Sequence, residues 1–255
     1  VDPRAIVQHA AILTAAEELN MSEHSTKSGE PVFLITGASS GIGAATARHA
    51  RAQGWRLVLA ARSSERLAAL AEELGGAEHA LSVRCDVTEW DDQQRMVEAA
   101  LAAFGRIDAV FANAGFGGPR GFLSDTPEHW REMVLTNVYG AALTIRASIP
   151  ALRDSRGHLL LTSSVAGRRV LPGSLYSCTK HAVTAMGEAA RQDLHGSGIR
   201  VTLIEPGMVD TPFFDERPAN ALADEDIARG VLYAISQPAH VDVNEVLIRP
   251  IDQAG

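Results

Sequence analysis

The chain has 255 residues, 46% of them hydrophobic and 21% charged, a composition that excludes disorder and gives length for one or two buried cores. Lys and Arg total 23 against 31 Asp and Glu, a formal net charge of −8, which excludes nucleic acid and anionic membrane as the main partner. Two cysteines, Cys85 and Cys178, are too few for a disulfide framework and lack metal-ligand spacing, so no metal is expected and a reducing cytoplasm is the expected compartment.

Residues 1–20 read as a short helix, with Asp2 as N-cap, Pro3 in the first turn and a partial apolar stripe through Ile6, Val7, Ala10, Leu13 and Ala16. A polar run follows from Met21, so residues 1–30 are expected to be an N-terminal extension, helix plus linker, outside the main fold. No apolar run reaches bilayer length, and the first thirty residues lack the basic-then-apolar order of a secretory signal. From Pro31 onward, short apolar runs alternate with longer amphipathic stretches. Strands are predicted near 32–35, 56–60, 81–84, 109–112, 158–162, 201–204 and 246–248, with helical periodicity between them. Strands apolar on both faces indicate βαβ units and a parallel sheet covered by helices. The expected fold class is α/β: one doubly wound domain over residues 31–255, with about seven mostly parallel strands and helices on both faces.

Directly after the first strand stands Thr36-Gly37-Ala38-Ser39-Ser40-Gly41-Ile42-Gly43, and a helix starts behind it. Glycines there permit a tight turn and close backbone approach, so that amides at the helix N-terminus face a pyrophosphate. Gly37-x-Ser39-x-Gly41 also spells the nucleophile elbow of a hydrolase. Its position in the first βα turn, with no His-Gly-Gly-Gly motif upstream, disfavours that reading.

Of the 23 basic side chains, only Lys27 and Lys180 are lysine, and Lys180 stands four residues after Tyr176. At that spacing on a helix, a phenol and a compact ammonium share one face, and the ammonium favours phenolate. Alone, such a pair is as readily a chance surface feature. It is joined by Ala112-Asn113-Ala114-Gly115 after the fourth strand, Thr136-Asn137-Val138-Tyr139-Gly140, Ser163-Ser164 ending the fifth strand, and Pro206-Gly207-Met208-Val209-Asp210-Thr211. Six pieces in this order resemble the short-chain dehydrogenase/reductase family, in its compact single-domain branch, over roughly residues 31–250.

The resemblance implies a Rossmann-like fold and an oxidoreductase that interconverts a carbonyl and a secondary alcohol. In it Tyr176 is the acid/base. Lys180 lowers the phenol's pKa and binds the nicotinamide ribose, Ser164 polarises the substrate oxygen, and Asn137 holds a water that links Lys180 to solvent. Gly37, Ser39, Ser40, Gly41, Ile42 and Gly43 would cradle the pyrophosphate. Asp86 and Val87 would meet the adenine, Asn113, Ala114 and Gly115 the adenosine side, and Thr211 the nicotinamide amide, with Pro206, Gly207 and Val209 also binding the cofactor. Two departures stand out: Ala112 replaces a frequent asparagine, and the usual serine-to-tyrosine spacing of thirteen selects Ser163. The Ser-Ser-Val-Ala-Gly context selects Ser164, and strand alternation sends the two hydroxyls to opposite sides.

At the end of the second strand, Ala61 stands where members preferring NAD usually carry aspartate, and Arg62 follows. An arginine fork suits the 2′-phosphate of NADP, so NADP(H) is the preferred cofactor and NAD(H) the alternative. Arg62 is otherwise a strand cap or a partner for Glu65. Substrate loops are expected around 116–122, 165–175 and 212–220, with Phe116, Phe122, Leu171, Phe213 and Phe214 as an apolar wall. Arg120, Arg168 and Arg169 either bind an anionic group there or are solvated loop charges. The substrate is a small carbonyl compound or alcohol of open identity. Family members pair through the helices expected over 127–149 and 175–195, where Ala141, Ala142, Ala182, Ala185, Ala189 and Ala190 permit close packing, so a homodimer or homotetramer is expected. The rival functions are an NADP-binding redox sensor with little turnover and a sugar-nucleotide epimerase, whose relatives usually have a longer substrate domain and different glycine spacing.

Overall fold

The computed structural model describes residues 29–213 and 219–253. The helix expected over residues 1–20 and the linker to residue 28 lie outside the described residues, as does Phe214. Seven strands form one sheet in the order β3-β2-β1-β4-β5-β6-β7. They are β1 (Val32–Thr36), β2 (Arg56–Ala61), β3 (Ala80–Arg84), β4 (Ala109–Ala112), β5 (His158–Thr162), β6 (Arg200–Pro206) and β7 (Glu245–Ile248). Every neighbouring pair is parallel, where the sequence led us to expect a mostly parallel sheet. Observed bounds differ from the predicted ones by two residues or fewer, because backbone pairing continues past the last apolar side chain, as at Glu205 and Pro206.

The helices are α1 (Gly41–Ala52), α2 (Ser64–Glu73), α3 (Trp90–Phe104), α4 (Pro127–Val134), α5 (Ala141–Ser155), α6 (Leu175–Asp193) and α7 (Asp224–Ser236). Period-two alternation divides the strand side chains between two cores. Phe33, Ile35, Leu57, Leu59, Phe111 and Ile204 pack under α1, α2 and α7. Leu34, Val58, Val110, Leu159, Leu161 and Leu203 pack under α3, α5 and α6. Burial on both faces is why these strands read as continuous apolar runs.

Local chemistry sets the helix ends. Thr126 accepts from the His129 N–H at 3.1 Å with Pro127 in the first turn, and Ser174 accepts from the Ser177 N–H at 3.1 Å; both satisfy N–H groups that a helix start leaves without partners. Strand order reverses between β1 and β4, so the chain leaves β1 towards one side and β4 towards the other. The resulting crevice at the carboxyl edge is where a doubly wound sheet binds its ligand. Phe111, fully buried beside that crevice, is expected to lose about 3–5 kcal/mol of stability as Phe111→Ala. A lower urea midpoint with an unchanged far-ultraviolet spectrum would show it.

Candidate functional site

Thr36 ends β1, and its hydroxyl donates to Phe111 O at 3.3 Å while accepting from Asn113 N at 3.0 Å and Ala114 N at 3.2 Å. The Asn113 side chain donates to Thr36 O at 3.1 Å and accepts from the Thr162 hydroxyl at 3.0 Å. Thr162 O then accepts from Lys180 Nζ at 2.7 Å. One chain of polar contacts therefore crosses the ends of β1, β4 and β5 and finishes at the lysine.

The loop between β1 and α1 is held close by its glycines. Gly37 has φ +66°, and a Cβ there would lie 2.9 Å from Ala114 Cα; Gly41 has φ +50°, with Thr211 3.1 Å from its Cβ position. The chain is thus drawn against two neighbouring loops, and residues at the start of α1 line a cavity of about 830 Å³. That volume and a glycine cradle at a helix N-terminus fit a dinucleotide. Ser39, Ser40 and Ile42 from this loop line the cavity, as do Arg62, Asp86, Val87, Asn113, Ala114, Gly115, Pro206, Gly207, Val209 and Thr211. Gly43 does not reach the surface: it is buried behind the loop, where a Cβ would meet Gly37 O and the Asn113 amide.

Tyr176 and Lys180 lie one turn apart on α6 and both line the cavity, with the ammonium 5.6 Å from the phenol ring centroid. Burial pushes Lys180 down to about 8. Burial also pushes Tyr176 up to about 12, opposed by its hydrogen bond with Ser164. The direction set by burial is opposite to the one expected from the lysine one turn away, because desolvation of the enclosed phenol disfavours its charged form. Ser164 Oγ also donates to Pro206 O at 3.2 Å and accepts from Ala166 N at 3.1 Å. Ser163 instead donates to Lys180 O at 3.1 Å and meets the Thr184 hydroxyl at 2.6 Å. The two adjacent hydroxyls have separate partners, one towards the phenol and one into the packing of α6.

Asn137 sits in a wide helical turn, Leu135–Gly140, between α4 and α5. Such turns interrupt the regular ladder and recur at functional sites. Its side chain donates to Phe116 O at 2.8 Å and accepts from Phe116 N at 3.0 Å, with a further donation to Thr179 at 3.1 Å. Asn137 is 2% exposed and fastens the strand-β4 loop to α6 from behind the cavity wall.

Sequence reasoning missed several lining residues, among them Ser63, Arg66, Met208 and Gln253. Arg66 was findable, because it stands four residues after Arg62 across the start of α2. Arg168 corrects an expectation. It is no free anion receptor: its guanidinium pairs with Glu205 at 2.7 Å and with Glu245. These contacts tie the turn after Ser164 to the ends of β6 and β7.

The sequence pattern of the short chain dehydrogenase family matches residues 31–221. The chain belongs to the short-chain dehydrogenase/reductase family. An uncharacterized oxidoreductase of Staphylococcus saprophyticus is 37% identical over 229 residues, covering 87% of this chain and 98% of the relative. An alcohol dehydrogenase of Thermococcus sibiricus, complexed with 5-hydroxy-NADP, is 31% identical with a TM-score of 0.83, covering 89% of this chain and 99% of that one. Serine dehydrogenase from Escherichia coli is 31% identical with a TM-score of 0.80, covering 88% and 100%. The chain is accordingly a nucleotide-binding oxidoreductase of this family with a Rossmann fold. Among the described residues, no helix of this short-chain dehydrogenase/reductase is long and apolar enough to cross a membrane.

The Arg168 contacts generate a pH-dependent prediction. Glu205 is 1% exposed, and burial raises its pKa despite the opposing pull of Arg168. Removing that cation in Arg168→Ala should raise it further. A carboxyl that holds its proton more tightly folded than unfolded loses stability as pH rises from its unfolded value through its folded one. Thermal melts between about pH 4 and about pH 8 should therefore show a deficit for Arg168→Ala that widens with pH. A deficit constant across that range would contradict this account.

Proposed function

We propose that this chain is an NADP(H)-dependent oxidoreductase that interconverts a small carbonyl compound and a secondary alcohol, with residues 31–255 as one catalytic domain. The observation that carries the reading is that Tyr176, Lys180 and Ser164 line the same cavity as the glycine loop and Arg62. Arg62 and Arg66 on the adenosine side offer two guanidinium groups with no aspartate at Ala61, an arrangement that suits a 2′-phosphate dianion. Among solved relatives, a metagenomic short-chain oxidoreductase in complex with NADP is 32% identical with a TM-score of 0.76.

NADPH would supply the hydride for reduction, and the oxidised cofactor, with its positive ring, would accept it in the reverse direction. The chain supplies the rest. Ser164, its hydroxyl turning from Pro206 O, donates a hydrogen bond to the substrate oxygen on which charge develops, and Tyr176 Oη gives that oxygen a proton during reduction and takes it back during oxidation. Lys180, fixed by Thr162 O at 2.7 Å, keeps an ammonium beside the phenol and stabilises phenolate once the proton has left. Asn137 holds the Phe116 segment that forms the far wall. Phe116, Leu171 and Phe213 make that end of the cavity largely apolar, which excludes water from the reacting carbon. Val134 and Tyr139 are exposed on α4 and the wide turn, in keeping with a homodimer or homotetramer joined through that face and α6.

Reduced-nicotinamide absorbance followed over a panel of ketones, aldehydes and alcohols tests the reading. Tyr176→Phe is expected to lose about 10²-fold or more in kcat while binding NADPH as the wild type does. Tight NADPH binding with no turnover of any panel member would favour the redox sensor instead. Arg62→Ala is expected to weaken NADPH about tenfold or more while leaving NADH nearly unchanged, measured by quenching of protein fluorescence.

A further inference from the structure

We propose that Gln253, on the tail beyond β7, is a positioning residue for the loop Pro206–Thr211, and that through this loop it sets the grip on the nicotinamide half of the cofactor. The inference rests on the functional reading above together with the family resemblance, in which Thr211 of that loop meets the nicotinamide.

The backbone of the loop leaves the sheet with its N–H groups in need of partners. Gly207 N–H still reaches β7, donating to Ile248 O at 2.7 Å. Met208 N–H comes next, where β7 has ended and Pro250 turns the chain. The Gln253 side chain takes over at that point, its Oε1 accepting from Met208 N at 2.9 Å. On the other side the loop is held by Leu222, whose O accepts from Asp210 N at 2.8 Å and whose N–H donates to Met208 O at 3.0 Å. The loop is therefore clamped from both sides, and one clamp is a side chain from the C-terminal tail.

Two further observations tie the tail to this task. Gln253 N–H donates to Pro250 O at 3.0 Å, a turn that returns the glutamine towards the sheet end. Ile251 within that turn is 99% exposed, so burial of its apolar side chain does not hold the tail in place. A Cβ on Gly207 would collide with Gln253 Oε1 and lie 3.1 Å from Arg249 Cα. The glycine after Pro206 and the glutamine at the tail are thus two halves of one close contact. Gln253 lines the cavity together with Met208, Val209 and Thr211, which places the clamp at the wall where nicotinamide is proposed to sit.

Full-length Gln253→Leu and Gln253→Glu test this. Leucine removes the acceptor, whereas a carboxylate keeps it. Without cofactor, the Met208 amide is expected to exchange hydrogen faster in Gln253→Leu and at the wild-type rate in Gln253→Glu. In titrations, Gln253→Leu should weaken NADPH about three- to tenfold and leave 2′,5′-ADP, which lacks nicotinamide, unchanged; Gln253→Glu should restore NADPH affinity. Equal weakening of both ligands, or no weakening of NADPH, overturns the positioning role. Unchanged Met208 exchange in Gln253→Leu overturns the contact itself. Wild-type protein that binds no NADPH overturns the functional reading and the cofactor half of this one, while the exchange measurement still reads the clamp.

Discussion

A buried ammonium held at 2.7 Å from the last carbonyl of β5 is the contact around which this site is organised. Lysine so deeply enclosed loses hydration, and its pKa falls to about 8 for that reason. The group stays in place because Thr162 O is fixed by the sheet, and Thr162 is joined through Asn113 to Thr36 at the start of the glycine loop. The strand order makes this possible. With β1 beside β4 and β4 beside β5, the ends of three parallel strands bring the glycine loop and the tyrosine helix to opposite walls of one crevice.

The polar residues behind the cavity do work that a roll of lining residues would miss. Asn137 fastens the Phe116 segment and Thr179. The pair formed by Arg168 and buried Glu205 braces the turn that carries Ser164. Gln93 donates to Val87 O at 2.9 Å and to the Thr144 hydroxyl at 2.9 Å, linking the loop after β3 to α5. Each contact lets a loop at the sheet edge behave as part of the rigid core, which a site acting by position requires.

Ser163 and Ser164 show how tertiary packing gives adjacent, identical side chains different partners. Spacing pointed to one serine and motif context to the other. The structure gives Ser163 to the backbone of α6 and turns Ser164 towards Tyr176 and Pro206. The tyrosine shows the converse. Its neighbour at the fourth position was apparent from the sequence, yet its pKa direction was not, because desolvation depends on everything packed around the phenol rather than on the residue one turn away.

The sequence by itself determined about seven strands, a mostly parallel sheet and the residues of the glycine loop, because apolar runs of strand length and glycines at fixed offsets act through local backbone geometry. It also brought Arg62 and Lys180 to notice. Only the tertiary structure decided that Arg168 is committed to Glu205 and Glu245, that Asn137 and Gly43 stand behind the cavity wall, and that Gln253 returns to meet Met208. These are contacts between residues 37 to 77 positions apart or between side chains and loop backbone. No periodicity or motif spacing encodes such contacts; they follow from where the folded sheet sets its loop ends.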